Sequence, residues 1–451
     1  MVQDFTFGSV PKKLLAFAMP IFFANVLQAC YNLADMAVVG HFVGSAGLSA
    51  ISSAAMLCFI INSICMGVTM GGSVLVAQYK GANNGEAVRQ TVGTLFSVSF
   101  IAALIVTAAG YLLYGPVLRA MNLPVQAQPH AEHYMAVICG GTVFVFGYNA
   151  VCSVLRGQGD SNGPLVFVAI ASVLNVGLDF LLVGACSMGT VGAALATVLS
   201  QGASFGVAVL FFRKRGGIFD FHLRSFRVYK DKCIAILKIG LPSAVQMVVL
   251  NLSYLLVTGM LNVYGVTVSA AAGVGLKINS FAVIPCWAVG QAVTTMAGQN
   301  IGAGNLRRAG KACTAGIKIN VAVQVAVTAL ILIFAPQIVS LFDPNPAVIE
   351  EGVRYLRICC NVNCVFYAVM YTVDSFATGT GHAAFAMFNS VAQSILMRLG
   401  LSLLLSQGFA LGHMGLYWAE CLSPLLPAAA GVAFFCGGFW KRRLPMGKFS
   451  K

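Results

Sequence analysis

Residues 78–90 read QYKGANNGEAVRQ, and their reading organises the whole chain. Gln78, Gly81 and Asn84 of this stretch are answered by Gln299, Gly302 and Asn305 of QNIGAGNLRRAGK at 299–311, 221 positions later. Moving outward, Pro20 in AMPIFFA is answered by Pro242 in GLPSAVQ, 222 positions on. Gly157 and Gly159 in RGQGDSNGP are answered by Gly379 and Gly381 in TGTGHAAF, again at 222. Three correspondences at nearly one offset mark an internal duplication.

Composition says what each copy is made of. The chain has 451 residues, 59% hydrophobic and only 9% charged, whereas an ordinary soluble protein carries about 25% charged residues. A chain of this length cannot hide so much apolar surface in soluble cores, so the water-soluble classes are excluded. At about 20 apolar residues per crossing, the length accommodates about twelve helices. The expected fold is an all-α polytopic membrane protein with 12 transmembrane helices in two six-helix repeats. Apolar stretches place spans near 14–39, 49–77, 92–114, 132–155, 164–184 and 190–212, then near 235–262, 270–298, 312–334, 351–377, 384–407 and 415–439. Between the two sets lies the most polar stretch, with Arg213, Lys214, Arg215, Arg224, Arg227, Lys230 and Lys232. The expected division is therefore an N-terminal lobe (1–212), a cytoplasmic linker (213–234) and a C-terminal lobe (235–451). Six is even, so both copies start on the same side and form parallel repeats about an axis along the membrane normal. Two-lobed transporters with a central cleft are built in this way.

The net charge of +14 comes from 27 Lys and Arg against 13 Asp and Glu. Its placement argues against a nucleic-acid partner. Most basic residues fall at Lys12/Lys13, Lys80/Arg89, Arg156, Arg213 to Lys238, Arg307 to Lys318 and Lys441 to Lys451, all on one side if the spans alternate. That is the positive-inside bias, and it puts both termini in the cytoplasm. Lys12 and Lys13 precede an apolar run with no early small-residue cleavage site, so the run reads as a permanent first span. The fourteen cysteines are scattered through apolar segments, where they pack as small hydrophobes. His130 and His133 lack a third ligand, so no zinc site is expected. The glycine loops after spans two and eight lack the Walker Gly and Lys-Ser/Thr spacing. They read as tight turns, and ATP is not the energy source. Nor is there a His-acid, Ser-Lys or HExxH constellation, so the chain is not an enzyme. The driving force is an ion gradient or the solute's own gradient.

An acid inside a hydrocarbon span costs several kcal/mol unless paired, hydrated or neutralised. The candidates are Asp35, Asp179, Asp374 and Glu420, with the cations Lys277 and Arg398. Gln28, Asn32 and Asp35 fall at i, i+4 and i+7, one face of a helix. Asn175 and Asp179 share a face at i and i+4, and Thr197 has Ser200 and Gln201 one turn on. At about 1.5 Å per residue, Asp35 and Asp179 each lie roughly 8 Å from the outer end of their helix, with Thr197 about twice as deep. All can meet in the outer half of the N-terminal lobe. Two carboxylates, an amide and a hydroxyl form an oxygen cage suited to a hard cation. Close carboxylates also hold a proton by raising one another's pKa, so Na⁺ and H⁺ both qualify. The plainer alternative is that Asn175 and Thr197 are helix–helix hydrogen-bonding glue and that Asp35 lines water near the helix end.

At these residues the sequence resembles the multidrug and toxic compound extrusion (MATE) transporters, over essentially the whole chain. The resemblance rests on YNLADMAVVGHFVG at 31–44, the loop at 78–90, LRGQGDSNGP at 155–164, SVLNVGLDFLLV at 172–183 and GAALATVLSQ at 192–201. It implies a twelve-helix, V-shaped exporter with alternating access, driven by Na⁺ or H⁺ entry. In members with an N-lobe site, the cation set corresponds to Asp35, Asn175, Asp179 and Thr197 here. Other members carry a Glu of the seventh span in a C-lobe site, but SAVQMVVLNLSY after Pro242 contains no acid, which argues against a C-lobe site of that kind.

The duplication supplies further expectations. Aligning GAALATVLS with GLYWAECLS sets Glu420 opposite Thr197, and the eleventh span offers Arg398 where the fifth has Asp179. A structural ion pair between Arg398 and Glu420 is expected in place of a cation. Gln28, Asn32, Lys277 and Asp374 are candidates for a polar cleft; snorkelling serves Lys277 as well, and a wet helix end or inner gate serves Asp374. The function expected is cation-coupled antiport exporting amphipathic, often cationic compounds, with a flippase of a lipid-linked saccharide or other large precursor as the alternative. No cofactor is expected beyond the coupling ion, Na⁺ or H⁺. The partners are membrane lipid and small amphipathic organic substrates, not nucleic acid, and the expected form is a monomer in the plasma membrane.

Overall fold

Long apolar runs fix the elements. In a computed structural model that describes residues 3–121, 126–214, 219 and 221–441, every long apolar run is helical and no strand occurs among the described residues. Linker residues 215–218 and 220, including Arg215, and the basic residues Arg442, Arg443, Lys448 and Lys451 lie outside the described residues. The helices of the first copy are α1 (Val10–Phe42), α2 (Gly44–Gly81), α3 (Gly85–Ala120), α4 (Gln128–Gly157), α5 (Asn162–Asp179) and α6 (Gly189–Lys214). The second copy comprises α7 (Lys230–Asn262), α8 (Val266–Ala282), α9 (Ile284–Gly302), α10 (Leu306–Ile333), α11 (Ala335–Ser340), α12 (Pro346–Cys359), α13 (Asn363–Gly379), α14 (Ala383–Val391), α15 (Gly400–Leu403), α16 (His413–Leu422) and α17 (Leu425–Cys436). Among the described residues eleven helical spans are long and apolar enough to cross a membrane, with α8 and α9 together forming one. The pair α12 and α13, bent by 51° at its break, makes the twelfth. The chain is a multi-pass, all-helical membrane protein.

The bend in the tenth span departs from the single helix that the sequence reading placed at 351–377. At the break the chain reads ICCNVN, and the Asn363 side chain donates to the Glu420 carbonyl of α16 at 2.9 Å. The eighth span is likewise divided at Val283, where Pro285 opens α9 without needing an amide partner.

The duplication is visible in the backbone. Pro20 and Pro242 both lie inside their helices. Asn84 caps α3 by accepting from the Ala87 amide at 2.9 Å, and Asn305 caps α10 by accepting from the Arg308 amide at 3.1 Å. The turns before these caps use a left-handed residue, Asn83 in one copy and Gly304 in the other, so both glycine loops are tight turns. Gly159 and Gly381 adopt φ of 89° and 90° in the turns after α4 and α13. A Cβ at Gly157 would stand 2.5 Å from the Ser73 carbonyl, and one at Gly379 would collide with the Thr294 carbonyl. Small residues at such points let membrane helices approach closely.

By internal packing the chain forms two units. One comprises residues 1–4 and 19–244, the other residues 5–18 and 245–451. The opening turns of α1 therefore pack with the second unit, and the first half of α7 packs with the first. In the first unit the end of the linker is pinned to α3: Ser97 donates to the Phe226 carbonyl at 2.8 Å, and the Tyr229 amide donates to Thr94 at 3.2 Å. In the second unit the Arg308 guanidinium donates to the carbonyls of Phe5, Phe7 and Gly8, each at 2.7 Å.

Candidate functional site

Within the first unit, α5 is apolar except for one stripe. Ser172, Asn175 and Asp179 recur at i, i+3 and i+7, which turns all three to one side of the helix, and all three are buried. Directly after Asp179 the helix widens into a π-turn, Phe180–Ala185, a feature frequent at functional sites because it re-aims side chains. The chain then reverses and α6 returns beside α5, with Gly192 against the Leu182 backbone. That return brings Thr197 to Asn175, whose amide nitrogen lies 3.4 Å from the threonine hydroxyl.

Asp179 is fully buried, Asn175 is 1% exposed and Asp35 of α1 is 9% exposed. Asp35 and Asp179 are within electrostatic reach of one another, and the buried Tyr134 of α4 is within reach of both. The structure thus brings together Asp179 with Asp35, and Asn175 with Thr197, inside one unit. Their oxygens are largely without donors. Both carboxylate oxygens of Asp179, Oδ1 of Asp35, Oδ1 of Asn175 and the Ser172 hydroxyl are buried with no protein hydrogen-bond partner. Each such group ordinarily costs about 1–3 kcal/mol when it is left unsatisfied. Among the described residues no group of three or more His, Cys, Asp or Glu side chains could hold a metal ion. The donor set, two carboxylates with amide and hydroxyl oxygens, fits a hard monovalent cation or a proton rather than zinc.

Other sequence candidates are dispersed. Gln28 and Asn32 share the Asp35 face of α1 but are exposed, as is Lys277 on α8. Asp374 of α13 is 2% exposed, so it does not sit at a wet helix end. Its carboxylate accepts from Asn389 at 2.8 Å and Ser390 at 3.4 Å, and Gln246 in turn donates to Ser390 at 2.7 Å. Sequence reasoning missed these donors, along with Ser172 and Tyr134. The i, i+3, i+7 spacing held the signal for Ser172; the Asp374 partners come from other helices and left none.

Arg398 and Glu420 form a two-pronged ion pair, Nε to Oε2 at 2.6 Å and Nη2 to Oε1 at 3.1 Å. The pair is buried, with Arg398 only 1% exposed. The sequence alignment set Arg398 opposite Asp179, and the backbone corrects that register. Left-handed Ser187 and Gly189 are answered by Ala410 and Gly412, 223 positions on. The π-turn after α5 is answered by Leu404–Gly408, while a further π-segment, Ala392–Leu399, interrupts the eleventh span. A π-turn accommodates an extra residue, which accounts for the step from 222 to 223. Arg398 is therefore the counterpart of Asn175, and the buried Ser402 is the counterpart of Asp179.

The MatE family model matches the chain twice, over residues 20–181 and again over 242–404, in step with the duplication. The chain is 29% identical over 442 residues to "Probable multidrug resistance protein YpnP" of Bacillus subtilis (strain 168), covering 97% of each chain. It is 31% identical over 357 residues to "Probable multidrug resistance protein YoeA" of the same organism, covering 78% of this chain and 77% of the relative. Among solved structures, a crystal structure of MATE in complex with MaL6 superposes with a TM-score of 0.91 at 23% identity, covering 97% of this chain and 98% of that one. The chain therefore belongs to the MatE family, the multidrug and toxic compound extrusion transporters.

Proposed function

We propose that this transporter is a cation-coupled antiporter that exports amphipathic, often cationic organic compounds from the cytoplasm across the plasma membrane, with both termini cytoplasmic. The multidrug resistance named for the relatives YpnP and YoeA supports the substrate class. The coupling site is the set Asp35, Asn175, Asp179 and Thr197, and the coupling ion is Na⁺ or H⁺. One observation carries this reading: both oxygens of the Asp179 carboxylate are buried without a donor, within electrostatic reach of a second carboxylate, Asp35, whose Oδ1 is in the same condition. A cation or proton answers that arrangement, which the hydrogen bond between Asn175 and Thr197 leaves unmet.

In the mechanism, an ion entering from outside engages Asp35 and Asp179, with Asn175 and Thr197 completing the oxygen shell. The shell contracts, α1 shifts against α5 and α6, and affinity for the organic substrate falls. Ion binding moves the equilibrium only by its differential affinity for the two states, so an ion bound equally well in both states would drive nothing. The protein works as a monomer in lipid, without a further cofactor and without nucleic acid. The test uses purified protein in liposomes with Na⁺ and H⁺ gradients imposed separately against a fluorescent organic cation. Wild type extrudes the dye under at least one gradient, and Asp179→Asn does so under neither. Undiminished transport by the variant would remove Asp179 from the coupling site.

A further inference from the structure

In the first unit, the hydrogen bond between α5 and α6 at the polar set joins Asn175 to Thr197. Carried forward by the 223 positions that relate the two helix ends, those residues become Arg398 and Glu420, which form the buried ion pair of the second unit. The two pairs have the same sequence separation and the same place in the repeat, but they differ in charge. Asp179 lies one turn from Asn175 on the same face of α5, and Asp35 is within electrostatic reach of Asp179. At the register of Asp179 the second unit has Ser402, and near that of Asp35 it has Leu256 and Val257. At these equivalent positions the first unit has two acids, Asp35 and Asp179, and the second has one acid and one base, Glu420 and Arg398.

The surroundings of Arg398 are built to hold a cation. Glu420 takes two of its donors, the Ser253 hydroxyl lies 3.5 Å from Nη1, and the guanidinium carbon stands 4.0 Å from the centre of the Tyr254 ring. Ser253 is itself oriented by donating to the Ser394 carbonyl at 2.9 Å. The hydroxyls of Ser394 and Ser402 are fully buried without a partner. Carboxylate, hydroxyls and an aromatic face together make a cation site, and here the cation is covalently attached to the chain.

We propose that Arg398 is a tethered cation occupying a latent monovalent-cation site on Glu420, so that the second unit is permanently loaded and ion exchange is confined to the first. The proposal rests on the reading of Asp35 and Asp179 as the exchangeable site. It also limits coupling to one ion-binding centre per chain, because the only counterpart of that centre in the repeat carries its own charge.

The test unmasks the latent site in an Asp179→Asn background, which silences the first unit. Into it are placed Arg398→Ala, Arg398→Gln, which keeps a hydrogen-bond donor for Glu420, and each of these combined with Glu420→Ala. Each protein is purified with NaCl present, exchanged into choline chloride of equal ionic strength, and its thermal midpoint is followed as NaCl, LiCl or KCl replaces choline. The Arg398 variants should lose several degrees in choline and regain at least half of that loss in a saturable response to an alkali cation. Adding Glu420→Ala should abolish the response. A flat response in both Arg398 variants, a response that survives removal of Glu420, or failure of both variants to fold even with Na⁺ throughout would each overturn the proposal. A Na⁺ response in the Asp179→Asn parent with Arg398 intact would instead overturn the coupling site proposed for the first unit.

Discussion

Replacing Asp179 by Asn should make the protein more stable, not less, when no coupling ion is available. Four buried acceptors in the first unit, Asp35 Oδ1, Asn175 Oδ1 and both oxygens of Asp179, have no donor from the protein. At about 1–3 kcal/mol for each unsatisfied group, the cation-free state carries a gross cost of about 4–12 kcal/mol. A cation bound with a Kd of about 1 mM returns about 4 kcal/mol, the lower end of that range. At about 100 times Kd it stabilises the fold by about 2.7 kcal/mol through mass action. The asparagine variant removes one negative charge and one orphaned acceptor and brings an amide donor to its neighbours. It should therefore exceed wild type in sodium-free alkaline buffer by about 1–3 kcal/mol, and it should not respond to added ion. The assay is the thermal midpoint of purified protein in detergent, with N-methylglucamine replaced stepwise by Na⁺ at high pH, and in a parallel series with the pH lowered at constant salt. Wild type should climb in at least one series, because protonating or neutralising a buried carboxylate relieves the same cost. A variant less stable than wild type in the ion-free buffer, with the ion response intact, would refute the reasoning.

Two further outcomes follow from packing and hydrogen bonding. Gly379→Ala would set a Cβ 2.9 Å from Thr294 Cα, and Gly157→Ala one 2.5 Å from the Ser73 carbonyl; each should cost about 1–3 kcal/mol through forced separation of backbones. Equal thermal midpoints for wild type and both variants would show that these helices approach less closely than described. Asn389→Ala removes the 2.8 Å donor to Asp374 and leaves only Ser390, at 3.4 Å. A loss of about 1–3 kcal/mol is expected, and an unchanged midpoint would mean that the Asp374 carboxylate does not depend on this bond.

How much of this was legible in the chain depends on the range of the signal. The spans and the duplication were, because hydropathy and repeated turn residues such as Asn84 and Asn305 act within a few positions of themselves. The stripe Asn175 and Asp179 was readable from helical spacing alone, and the meeting of Asn175 with Thr197 followed from the reversal between their helices. The register of Arg398 was not, because a π-segment adds one residue without any marker in its composition; only the backbone shows that Arg398 stands opposite Asn175. Nor was the environment of Asp374, whose donors Asn389 and Ser390 come from the next helix and whose second layer, Gln246, lies more than a hundred residues away. The exposure of Gln28 and Asn32 beside a buried Asp35 was equally hidden, since a polar stripe specifies a face but not what covers it.

The central claim is that export of the organic substrate is coupled to an ion bound at Asp35 and Asp179, and reciprocity gives its most direct test. If the ion lowers substrate affinity, substrate must lower ion affinity by the same factor. Proteoliposomes loaded with an organic cation and diluted into substrate-free medium, with no ion gradient imposed, should take up Na⁺ or H⁺ as the substrate leaves, measured with an ion-sensitive dye inside the vesicles. Wild type should show ion uptake tied to substrate efflux, and Asp179→Asn should show none. Substrate efflux without ion movement in wild type, or ion uptake of equal size in Asp179→Asn, would contradict the account.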